Sequence, residues 1–189
     1  IIIGWIGSSF HRKDLTIFNE LIPAIMNKYK NAKFLTMGEP PPRQLRVFGE
    51  RLIHMPFVES IFYHEVLSRF SIQIGIAPLV DNEFNRCKSP VKAIEYLYTK
   101  TFPILSDLPP YSDFLKDQEF GFLIPTSPDK PGSLDDWMDA IDWCIQNPEK
   151  REELAEKGHE YVLDNFNVEC DPMFEIYKSA YEINEVEYV

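Results

Sequence analysis

Cysteine and histidine are scarce in this 189-residue chain, and neither is clustered. The three cysteines, Cys87, Cys144 and Cys170, form no C-x-x-C pair. A disulfide framework or a structural zinc site is therefore not expected, and a reducing, cytoplasmic compartment is. The four histidines, His11, His54, His64 and His159, show no H-E-x-x-H or similar ligand spacing, so no metal is expected. No apolar run approaches the roughly 20 residues that span a bilayer, so no transmembrane segment is expected. The opening Ile1-Ile2-Ile3 has neither the basic flank nor the length of a signal peptide. Basic residues are also in the minority, 19 Lys plus Arg against 30 Asp plus Glu. That excess argues against nucleic acid or an anionic membrane as a partner of the whole surface.

What is present is ordinary globular composition, 44% hydrophobic and 26% charged. The charge is unevenly spread. Residues 107–189 hold 21 Asp plus Glu against 6 Lys plus Arg, whereas residues 1–106 hold 9 against 13. A small anionic ligand would thus find its cations in the first half.

Short apolar runs alternate with helical periods. Ile1–Ile6, Lys33–Met37, Leu52–Met55, Ile72–Pro78, Phe102–Ser106 and Gly121–Ile124 read as strands. Leu15, Phe18, Leu21, Ile22, Ile25 and Met26 recur at helical spacing, with Pro23 expected to kink or break that helix. Ile61–Phe70, Leu134–Gln146 and Glu149–Asn165 also read as helices, and Asp113–Lys116 as a helical turn. Pro40-Pro41-Pro42 reads as a loop. Ser89 as N-cap and Pro90 at the first position predict a helix that carries Val91, Ile94, Leu97 and Tyr98. Alternation of this kind predicts an α/β fold: a Rossmann-like, doubly wound parallel sheet of about six strands with extra C-terminal helices. Residues 1–189 are expected to form one domain. The chain starts without Met inside an apolar run, as expected of an excised domain or of a chain whose preceding disordered residues are missing. A last helix, about 171–183, lies beyond the final strand and is a candidate to pack on a partner domain.

Ligands of such sheets bind at the carboxyl ends of the strands. Two segments there could hold an anion. Gly7-Ser8 ends the first strand, followed by His11-Arg12-Lys13 before a helix. Lys88 precedes the Ser89-Pro90 start, and Lys88, Lys92 and Glu95 fall at i, i+4 and i+7, on one helix face. A cation there could hold a diphosphate, and a carboxylate two turns on could accept hydrogen bonds from a ribose diol. The turn is neither G-x-G-x-x-G nor a Walker loop. Cys87 has no histidine nearby in sequence to activate it as a nucleophile. Trp5, Trp137 and Trp143 read as packing residues, and Asp135, Asp136, Asp139 and Asp142 as a solvated helix face.

The stretch "IGIAPLVDNEFNRCKSPVKAIEYLYTKTFPILSDLPPY" from Ile74, with "GFLI" ending at Ile124, resembles the donor half of family 4 (group 1) glycosyltransferases of the two-domain GT-B fold. "IGWIGSSFHRKDL" is similar to that family's first strand and turn, and "NPEKREELAEKGHEYVLDNF" to its penultimate helix. The resemblance implies a nucleotide-sugar-binding C-terminal domain and an N-terminal acceptor domain as its partner. It implies transfer of a sugar to an acceptor hydroxyl, with retention and without a metal cofactor. Gly7, Ser8, Lys13, Lys88 and Ser89 would serve the donor diphosphate, Glu95 the ribose, and Met55 and Phe57 the base. Two positions depart from the pattern. Cys87 stands where the first carboxylate of the family's E-x(7)-E motif belongs, leaving Glu83, Asn85 or Asp81 as candidate sugar contacts. Ser8 stands where many members carry arginine. A non-catalytic Rossmann-like nucleotide-binding or interaction module, or half of a nucleotide-sugar 2-epimerase, stand as alternatives. Any peripheral membrane contact would come through the part not included in this chain.

Overall fold

In a computed structural model, which describes residues 1–8, 11, 13–167 and 179, six strands form one parallel sheet. They are β1 (Ile2–Gly7), β2 (Lys33–Gly38), β3 (Leu52–Met55), β4 (Ile74–Ala77), β5 (Phe102–Ser106) and β6 (Phe122–Ile124). Their order is β3-β2-β1-β4-β5-β6, and every pairing is parallel. The expected doubly wound sheet is therefore present. Helices on both faces bury it, and that is why its central strands read as unbroken apolar runs. Apart from Ser179, the expected helix at about 171–183 lies outside the described residues.

The helices are α1 (Phe18–Lys28), α2 (Ser60–Arg69), α3 (Glu83–Arg86), α4 (Val91–Tyr98), α5 (Tyr111–Phe114), α6 (Leu134–Gln146) and α7 (Pro148–Phe166). A 3-10 turn at Asp14–Ile17 leads into α1. Helix α1 runs through Pro23 without a break. Phe18, Leu21, Ile22, Ile25 and Met26 are all fully buried. That apolar burial outweighs one missing backbone hydrogen bond. At its end, Arg51 donates to the carbonyls of Met26, Tyr29 and Ala32, closing the turn into β2. Lys28 and the Tyr29 hydroxyl both reach Asp142 of α6. Asp142 is thus an inter-helix anchor rather than part of a solvated face. Trp5 and Trp137 belong to the core, as their type suggested.

The other face centres on α4. Tyr96 is fully buried, and its hydroxyl donates to the Ile76 carbonyl at 2.9 Å. Its ring lies over Gly75, where an added Cβ would come within 2.6 Å of ring carbons. Glycine in β4 is therefore a packing requirement of α4. Helix α7 packs behind α4, with Gly158 against Leu97.

Candidate functional site

The centre of the sheet is its topological switch point. From β1 the chain moves to β2 on one side; from β4 it moves to β5 on the other. Connections that diverge in this way open a crevice at the carboxyl ends of the strands. A cavity of about 430 Å3 lies there. Its lining comes from Ile6, Gly7, Ser8 and His11 of the first strand and turn, Met37 and Gly38 of β2, and Phe57 and Val58 after β3. Tyr63 and His64 of α2, with Lys92 and Glu95 of α4, complete it. Gly7 and Gly38 pair in register at the strand ends. Gly38 has φ +97°, and a Cβ there would sit 2.2 Å from the Gly7 carbonyl oxygen, so no other residue fits. A larger apolar groove of about 560 Å3 runs between α4 and α7 and shares His64 and Glu95 with this cavity.

Glu95 supplies the acidic wall. The Tyr63 hydroxyl donates to its Oε2 at 2.9 Å, and Lys92 Nζ donates to the same oxygen at 2.7 Å. Burial, then the neighbouring carboxylate, pushes the Tyr63 phenol well above its ordinary range, so it stays a donor. Both of these hydrogen bonds fall on Oε2.

The cationic side is built around Asp14, which is only 3% exposed. Its Oδ1 accepts from the Val80 amide and from Asn85 Nδ2, both at 2.9 Å. Its Oδ2 lies 3.0 Å from His11 Nδ1 and 4.0 Å from Lys88 Nζ. Lys88 Nζ is also 3.4 Å from His11 Nδ1 and 4.9 Å from the centre of the Phe84 ring. Burial pushes the Lys88 ammonium below the ordinary lysine value, and Asp14 partly opposes that shift.

Of the residues singled out in the sequence, Gly7, Ser8, Phe57 and Glu95 line the cavity, together with Lys92. Phe57 is 77% exposed at its mouth. Met55 ends β3, half-buried, outside the lining. Lys13 is exposed in the turn before the 3-10 segment. Three readings need correction. Lys88 does not share a helix face with Lys92 and Glu95, because α4 begins only at Val91; it belongs to the Asp14 cluster. Ser89 does not cap α4. Pro90 is the N-cap, Ser89 is exposed, and no side chain caps that end. Asn85 is no free sugar contact either: it is 2% exposed, and its amide nitrogen also donates to the Val80 carbonyl. Glu83 remains exposed on α3, while Asp81 is held by a two-point pair with Arg86.

Asp14 and Tyr63 are not among the residues the sequence singles out, and His11 is named there only as part of the basic turn. The one available signal was the H-x-x-D spacing in the first turn, which sets the two side chains three residues apart. Among the described residues, no group of three His, Cys, Asp or Glu side chains could hold a metal ion. Among them, too, no helix is long and apolar enough to cross a membrane.

No protein-family model and no curated protein sequence matches the chain. Solved structures do. The C-terminal domain of LpcC, a group 1 glycosyl transferase family protein from Francisella tularensis, is 19% identical with a TM-score of 0.68. That match covers 88% of this chain and 86% of that one. Sucrose-phosphate synthase from Thermosynechococcus elongatus is 20% identical (TM-score 0.67) over 96% of this chain. HepE from Anabaena, solved with UDP-glucose, is 14% identical (TM-score 0.63) over 95%. This chain spans 46% of the synthase and 48% of HepE, about half of either. It therefore has the Rossmann-like fold of the C-terminal half of a GT-B glycosyltransferase.

Proposed function

We propose that this chain is the donor-binding half of a two-domain glycosyltransferase, which moves a sugar from a nucleoside diphosphate to an acceptor hydroxyl. The observation that carries the reading is the switch-point cavity, lined by the braced Glu95 carboxylate and by His11, with Asp14 and Lys88 packed against His11. The fold supports it, since its neighbours are glycosyltransferases and one holds UDP-glucose.

In this reading Glu95 accepts from the ribose hydroxyls, and Phe57 and Met55 lie beside the base. The diphosphate lies over Gly7 and Ser8, within reach of Lys88 and Lys13. As the glycosidic bond breaks, negative charge grows on the departing phosphate. Fixed cations in a partly dry site stabilise that charge more than they stabilise the ground state. Lys88 and Lys13, rather than a divalent ion, carry this role. Retention of anomeric configuration goes with the family resemblance. The acceptor site belongs to the other domain, in keeping with the half-length coverage, so the chain alone binds donor and transfers little or nothing. A cytoplasmic location accords with the unpaired Cys87 and Cys144.

Titration calorimetry with UDP-glucose, GDP-mannose and ADP-glucose tests the reading. Heat from at least one is expected. Heat from none would favour an interaction module without nucleotide affinity.

A further inference from the structure

We propose that His11 is a third cationic ligand of the donor diphosphate, held for that task by Asp14. The proposal rests on the donor-binding reading above and adds a residue and a proton to it.

Among the described residues, the geometry leaves the His11 ring one polar atom without a partner. Asp14 is fixed first, because the Val80 amide and the Asn85 amide both hold Oδ1. Its other oxygen then faces His11 Nδ1 at 3.0 Å. A carboxylate only accepts, so Nδ1 carries the hydrogen. Lys88, 3.4 Å from that nitrogen, consequently makes no hydrogen bond to it, and its charge is answered by Asp14. The ring is set edge-on to Trp5, with centroids 6.1 Å apart and planes at 78°. A Gly7 Cβ would stand 2.6 Å from the Trp5 ring and 3.3 Å from His11 Cδ2, so the glycine makes room first for the indole and then for the imidazole. Nε2, the atom next to Cδ2, is what remains for a ligand in the cavity that His11 lines.

Charge decides what Nε2 does. Among the described residues, the charged groups that face His11 are Asp14 from its own turn and Lys88 from the α3–α4 link. Tyr111 of α5 lies near enough to feel Asp14, and burial keeps its phenol neutral. One carboxylate and one ammonium cancel. With a neutral imidazole the cluster offers a phosphate no net positive charge. With an imidazolium it offers one unit, and both ring nitrogens donate, Nδ1 to Asp14 and Nε2 to a phosphate oxygen. Donor binding should therefore take up a proton.

The probe is the sugar nucleotide that gives the largest heat among UDP-glucose, GDP-mannose and ADP-glucose, since a diphosphate diester keeps its charge between about pH 6 and about pH 8. Calorimetry of the 189-residue chain in buffers of different ionisation enthalpy should show net proton uptake near neutrality. Affinity should fall about tenfold from about pH 6 to about pH 8. His11→Gln should bind about tenfold more weakly at about pH 6, with no proton uptake and a flat profile over the same range. Binding by the unaltered chain with no uptake and no pH dependence overturns the proposal alone, and needs no variant to fold. His11→Gln that keeps the affinity, or keeps the pH dependence, overturns it too. No heat from any of the three compounds overturns both the proposal and the reading beneath it.

Discussion

Removing the Asp14 carboxylate should unfasten the first βα turn from the loop after β4. In Asp14→Ala, the Val80 amide and one hydrogen of Asn85 Nδ2 lose the acceptor that now stands 2.9 Å from each. Val80 and Asn85 are 6% and 2% exposed, so water does not readily replace it. Each buried donor left unpaired costs about 1–3 kcal/mol, and Lys88 loses the charge that offsets its burial. The expected loss is about 3–5 kcal/mol, a large part of the roughly 5–15 kcal/mol that holds a domain folded. With a urea m-value of about 2 kcal/mol/M, the unfolding midpoint should drop by about 2 M. Asp14→Asn keeps one acceptor oxygen and should lose about half as much. An Asp14→Ala midpoint within about 0.3 M of the unaltered chain would refute the reasoning. So would Asn and Ala variants of equal stability, since hydrogen bonding would then not be what Asp14 contributes.

Two further outcomes follow from the same geometry. Gly75→Ala pushes a methyl to within 2.6 Å of the Tyr96 ring and should destabilise the fold by about 1–3 kcal/mol, read as a fall of several degrees in Tm; an unchanged Tm would mean that α4 can move off the sheet. Lys88 sits below the ordinary lysine value of 10.5, so the folded chain holds fewer protons there than the unfolded chain. Its contribution to stability therefore rises with pH from its folded value toward 10.5, while its help to diphosphate binding falls over the same window. In His11→Gln, donor affinity should decline at alkaline pH from below 10.5, and an affinity flat to that point would remove Lys88 from the site.

The strands were legible because burial on both faces leaves apolar runs that need no partner to be read. Leu134–Gln146 was readable as α6 to the residue. The 3-10 segment Arg43–Arg51 was not, since it is mostly polar and buries only Leu45. Helix α3 is equally polar, and it rests on local bonds such as Asn82 Oδ1 accepting from the Asn85 amide. At the site, Gly7, Ser8 and Glu95 could be found from strand ends and helix spacing, which are local. Asp14 could not, because its partners Val80 and Asn85 lie 66 and 71 residues away. The same distance hid the true setting of Lys88. A regular i, i+4 spacing was projected onto it, but the chain is not helical there until Val91.

The central claim is that one nucleoside diphosphate sugar is held between the Asp14 cluster and Glu95. Comparing Lys88→Ala and Glu95→Ala by titration with that sugar nucleotide tests it most directly. Each side chain makes a charge-assisted contact in this account, so each variant should lose roughly tenfold or more in affinity while remaining folded. Unchanged affinity in both would contradict the account and place any nucleotide elsewhere on the chain.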